Sequence, residues 1–256
     1  MWTPRRLWRA NLSYWTQERS LKALLIYLFI SIVTWLPLSE RNPVEEALQD
    51  LVFNLILLAG YFSVSVDSSL QQSPLRKILL ALAIAASIFR GMEYLFLDVT
   101  LQRVDMITSA CFFSLLGYLI FSYVVRDDSE VTAHRVQGAI VVYIVVGMIC
   151  SFLYHLIHLS DPDAFTFTIH EDTEVMYALF VYFSFAVQTT VGAGDIIPSS
   201  AWSKSVLIFQ SSFGMLYPVV IIARLVTLEI EHTRQRKQNH QAHQHHTDGD
   251  AHDRIS

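Results

Sequence analysis

The chain has 256 residues, 53% of them hydrophobic and 16% charged, with a formal net charge of −5 and a mean hydropathy of +0.38. Soluble domains carry about 25% charged residues, so the polar surface of a soluble protein is missing here. The small negative charge, with no basic stripe, argues against a nucleic-acid partner.

In chain order, Met1 to Lys22 is basic at Arg5, Arg6 and Arg9, but the apolar run after it ends without a small-residue cleavage site. It therefore reads as the approach to a first membrane span and not as a secretory signal. A crossing helix needs about 20 mostly apolar residues. Segments 22–38, 49–66, 78–97, 105–125, 136–159 and 202–228 meet that need and predict six spans. The apolar segment 175–188 is too short to cross and predicts a re-entrant or buried helix. Cys111 and Cys150 both lie in apolar runs and read as buried small hydrophobes.

Loop charges orient the layout. Most of the 18 lysines and arginines, among them Arg76, Lys77, Arg126 and Arg135, fall on one side together with both termini. The positive-inside tendency makes that side cytoplasmic. The expected organisation is a four-span domain at 1–130, a span, short helix and span at 131–229, and a polar His-rich tail at 230–256. The tail cannot bury enough apolar surface to fold alone, and its histidines suit weak divalent-metal binding.

The stretch Tyr182 to Pro198 carries the chemistry. An apolar helix ends at Gln188, and Thr189-Thr190-Val191-Gly192-Ala193-Gly194-Asp195 follows. Irregular backbone at membrane depth is tolerated only inside protein or along a watery cavity. Alternate glycines free the backbone to turn successive carbonyls toward one axis, where they can replace the water shell of a cation.

Thr189–Asp195 resembles the selectivity filter of the tetrameric potassium channels, usually Thr-Val-Gly-Tyr-Gly-Asp, and the order of elements over 136–228 is similar to theirs. That resemblance implies an all-α membrane protein of six transmembrane helices. A re-entrant pore helix and filter loop would lie between the fifth and sixth. It implies a homotetramer in lipid, in a bacterial inner membrane, with both termini cytoplasmic. It would pass K⁺ passively without a cofactor. Thr190 would bind K⁺ through hydroxyl and carbonyl, and Val191, Gly192 and Ala193 through their carbonyls. Gly194 would close the outer end, Asp195 would sit behind it, and Tyr182 and Phe183 would brace the filter. Two departures remove lateral support: Ala193 stands where the family has Tyr or Phe, and Ala186 where it often has Glu. A non-selective cation channel, or a non-conducting relative with a sensing or assembly role, stays open as an alternative.

Other features have a functional and a plain reading. Gly214 and Pro218 in the last span would form a gating hinge or a static kink. Arg224 would snorkel to headgroups or to a carboxylate. Asp161, Asp163, Glu171, Asp172 and Glu174 would form a negative vestibule or a solvated loop. His155 and His158 would share a metal or simply pack. Arg90 and Glu93, three apart, would pair within the third span. The fourth span has basic residues only at its ends, Arg103 and Arg126, so steep voltage sensing is not expected. One filter-like loop and no internal repeat argue against a secondary transporter or a potassium-uptake subunit. No nucleophile elbow or phosphate loop points to an enzyme.

Overall fold

The computed structural model describes residues 4–35, 43–65, 74–96, 98–125, 133–168, 176–224 and 227. Among these residues seven α-helices run in chain order: α1 (Pro4–Trp35), α2 (Pro43–Ser65), α3 (Pro74–Phe96), α4 (Val99–Val125), α5 (Ala133–Ser160), α6 (Met176–Gln188) and α7 (Ala201–Arg224). Proline opens α2 and α3, where the missing N–H costs nothing because first-turn donors have no helical partner. Asp98 begins α4 by accepting the Thr100 N–H at 2.8 Å.

Among the described residues four helical stretches are long and apolar enough to cross a membrane: Ala47–Ser65, Val99–Val125, Arg135–Ser160 and Ala201–Arg224. The first expected span falls in α1, whose apolar part Ser20–Trp35 is shorter. The third falls in α3, which carries Arg76, Lys77 and Arg90. Four of the six expected spans thus stand on length and apolarity. Cys150 is buried as expected, but Cys111 is exposed on the outer side of α4. The tail 230–256, Arg126 and Glu171, Asp172 and Glu174 lie outside the described residues.

The first four helices pack onto the rest through α4, which runs along α5, and α1, which touches α2, α5 and α6. One core of Phe53, Phe112, Phe113, Leu116 and Phe152 joins α2, α4 and α5. Apolar packing of this kind associates helices in lipid through dispersion, because lipid tails supply no hydrophobic drive.

A buried charge is neutralised inside that core. The guanidinium of Arg90 on α3 lies 3.1 Å from the Asp105 carboxylate on α4, and its carbon sits 3.8 Å above the Phe53 ring on α2. The partner of Arg90 in the structure is therefore Asp105. The side chain of Glu93, expected to fill that role, is outside the described residues.

A second correction concerns the connections on either side of α6, where the mostly helical chain departs from the all-helical expectation. Phe165–Phe167 and Ile196–Pro198 form a two-stranded antiparallel ribbon, here β1 and β2, with Thr166 opposite Ile197. The ribbon ties the end of α5 to the start of α7. The Ala164 carbonyl accepts from the Ser199 N–H at 2.8 Å and from the Ser203 hydroxyl at 3.0 Å. Ser200 caps α7 by accepting the Ser203 N–H at 3.1 Å.

Candidate functional site

The short helix α6 is wedged between α5 and its surroundings by a close approach. A Cβ on Gly147 of α5 would stand 2.7 Å from the Phe185 ring of α6, so a larger residue there would push the ring aside. Phe183 is buried against Tyr154 of α5 (ring centroids 4.9 Å) and Phe165 of the ribbon (6.1 Å). The expected brace at Phe183 thus acts on α5 and the ribbon. His155 stacks between Tyr177 and Phe180, and His158 lies among Phe165, Phe167 and Phe180, so both imidazoles are engaged in aromatic packing. Among the described residues no group of three or more metal-ligating side chains converges.

The end of α6 determines the backbone that follows. The Val191 N–H reaches back to the Ala186 carbonyl at 2.9 Å, and the Thr190 N–H to the Val187 carbonyl at 3.0 Å. This pair of bonds is a Schellman motif, and the residue at its turning point must be left-handed. That residue is Thr190, with φ 62°. Glycine is usual there; a β-branched residue in that region is an outlier and marks stored strain.

Left-handed backbone recurs at Gly192 (φ 56°) and Gly194 (φ 82°). Residues 190, 192 and 194 therefore alternate with Val191 and Ala193, the two between them having negative φ. Alternation of this kind gathers successive backbone N–H groups on one side, as in nests, which leaves the carbonyls turned the other way. Thr189 stays tied to the helix, its hydroxyl donating to the Phe185 carbonyl at 2.7 Å. Residues 189–194 are all exposed in the single chain, and Val191 is 72% exposed.

Outside this strand, Asp195 is held by its own carbonyl, which accepts from the Thr168 N–H at 2.9 Å and hydroxyl at 3.1 Å. Tyr182 on α6 faces the Asp195 carboxylate, and that neighbour raises the phenol above its ordinary pKa, keeping the proton on. Sequence reasoning expected Tyr182 to brace the filter, and the residue it meets, Asp195, is the last of the stretch Thr189–Asp195.

Gly214 of α7 meets the C-terminal end of α6. A Cβ there would collide with the Gln188 carbonyl oxygen and lie 2.9 Å from its carbon. The helix is continuous through both Gly214 and Pro218. Pro218 has no N–H for the Gly214 carbonyl four residues earlier, so α7 lacks one backbone bond at this contact. Arg224 donates to the Val125 carbonyl at 2.7 Å, which occupies a carbonyl at the C-terminus of α4 that helix geometry leaves open. The expected carboxylate partner is thus, for this donor, a backbone carbonyl.

Residues 139–230 match the family model described as an ion channel. That stretch holds most of α5, α6, the glycine strand and α7, and it makes this part of a multi-pass membrane protein channel-like and not enzymatic. No curated relative and no solved structure matches the chain.

Proposed function

We propose that the protein is a passive K⁺ channel in which four copies surround one axis and each contributes the strand Thr190–Gly194 to the selectivity filter. The observation that carries this reading is the alternating backbone, with Thr190, Gly192 and Gly194 left-handed behind a short apolar helix. A K⁺ ion entering the filter exchanges its water shell for rings of oxygens, and several ions then move in single file down the electrochemical gradient. The Thr190 hydroxyl and carbonyl and the carbonyls of Val191, Gly192 and Ala193 are the ligands. K⁺ is the cargo, and no cofactor takes part.

One strand supplies one oxygen at each level, so a single chain cannot surround an ion. The exposure of Val191 and of a broad apolar face of α7, including Phe209, Met215, Leu216 and Val219, supports neighbours of the same kind. In this arrangement α1 and α3 cross as well, making six spans with both termini cytoplasmic. The charge that would oppose burial of α3 is paired at Arg90. Asp195 stands at the outer mouth, where its charge attracts cations.

The deciding experiment is ion flux from liposomes containing the purified protein, comparing K⁺, Na⁺ and a large organic cation. K⁺ flux well above Na⁺ supports the reading. Equal fluxes of K⁺ and Na⁺ favour a non-selective pore, which the small Ala193 side chain between two glycines makes the natural second reading. Flux of neither ion, with voltage, pH and Ca²⁺ varied, rejects conduction.

A further inference from the structure

The filter strand has no large side chain of its own to hold it. Ala193 replaces the ring that would press on α6, and Ala186 offers no carboxylate. Gln188 and Gln210 are nevertheless fully buried, one at the last residue of α6 and the other midway along α7. Burying an amide without partners is costly, so two such buried residues need a reason.

Their hydrogen bonds form one connected set. The Tyr154 hydroxyl of α5 donates to Gln210 Oε1 at 2.8 Å. The two hydrogens of Gln210 Nε2 are shared among three acceptors, the Ser184 hydroxyl at 2.7 Å, the Ser184 carbonyl at 3.0 Å and Gln188 Oε1 at 3.1 Å. Ser184 in turn donates to the Gly147 carbonyl at 2.7 Å. Gln188 Nε2 donates to the Tyr143 carbonyl at 2.6 Å, and the Tyr143 hydroxyl donates back to the Gln188 carbonyl at 3.0 Å. Gln188 is thereby held at side chain and backbone at once, by α5 and α7 together. The residue it holds is two positions before Thr190, where the strained turn begins.

We infer that this Gln188–Gln210 network is the brace of the filter's inner end, with both glutamines acting as positioning residues for ion selectivity. The inference rests on the proposed channel function and goes beyond it by naming what keeps the Thr190 oxygens in place. A strand fixed from its inner end does not need lateral pressure at Ala193 to hold its width there. Fully connected polar networks rigidify, whereas removing one member leaves the others unpaired.

The test compares wild type with Gln210→Leu, Gln188→Leu, the double variant and Gln210→Glu in liposomes, reading the ratio of K⁺ to Na⁺ flux. Each Leu variant should lower the ratio on the order of tenfold, the scale set by one lost buried hydrogen bond. The double variant should lose little more than either single one, because both belong to one network. Gln210→Glu, which when protonated keeps an acceptor for Tyr154 and one donor, should restore part of the ratio. A merely structural role would lower total flux and assembly and leave the ratio alone. If the Leu variants fail to assemble, Tyr143→Phe removes only the hydroxyl on the Gln188 carbonyl and should lower the ratio by a few-fold. An unchanged ratio in assembled Leu variants or in Tyr143→Phe overturns the brace while the channel reading stands. Absence of flux in wild type overturns the channel reading and the brace with it.

Discussion

Thr190 sits where chemistry and backbone geometry disagree. Its hydroxyl and carbonyl suit a K⁺ ligand, yet left-handed backbone costs an L-residue about 1–2 kcal/mol. Glycine is the residue that relieves the strain, and Thr190→Gly should therefore raise stability by about 1 kcal/mol in thermal unfolding of the purified protein. The same variant loses the hydroxyl and should lose K⁺ flux. A fall in stability with flux retained would show that the turn is not strained and that the hydroxyl binds nothing. Strain of this kind, kept at a position where glycine was available, is the pattern expected of a functional site.

Between helices, the closest contact is that of Gly214 with the carbonyl end of α6. Gly214→Ala forces α7 away from Gln188, and overpacking of this order costs about 1–3 kcal/mol, readable as a drop in melting temperature. Pro218→Ala gives the Gly214 carbonyl its missing helical partner without any collision. If α7 bends here in gating, Pro218→Ala changes open probability in single-channel recordings; an unchanged open probability leaves Gly214 and Pro218 a matter of packing. A second link between helices is the Arg90–Asp105 pair. Asp105→Ala strands a buried guanidinium and should cost about 3–5 kcal/mol, seen as lost folded protein in a detergent-stability assay. Replacing both, Arg90→Met with Asp105→Leu, should recover most of that loss. Equal damage from the single and double variants would mean that the charge pair itself is not what matters.

At the scale of the whole molecule, the chain has a well-packed half and an incomplete one. Half or more of the residues in the apolar stretches of α4 and α5 are buried within the chain, whereas in that of α7 only 11% are. Lipid can cover part of such a face but cannot line a column of exposed backbone at residues 189–194. Chemical cross-linking or native mass spectrometry in detergent should therefore yield a four-chain species. A stable monomer that still conducts would contradict a filter shared among copies.

Apolar length, loop charge and alternate glycines are local properties, and the sequence by itself determined what they control: a membrane chain, a short helix 175–188 before a Gly-x-Gly strand, and the long final span. Ala193 and the Gly192–Gly194 spacing were likewise legible, because the residue types alone restrict the backbone they allow. The partners of buried polar groups were not legible, since they lie on different helices: Asp105 for Arg90 across fifteen positions, Gln210 for Ser184 and Tyr154, Val125 for Arg224 across nearly a hundred. Sequence spacing reports neighbours on one helix face, as the expected Arg90–Glu93 pair did, but not which face meets which. Only the tertiary structure decided that α6 ends in a Schellman turn on Thr190 and that Gly214 is small for the sake of Gln188. Both follow from how closely two backbones approach, and a one-dimensional pattern does not record that distance.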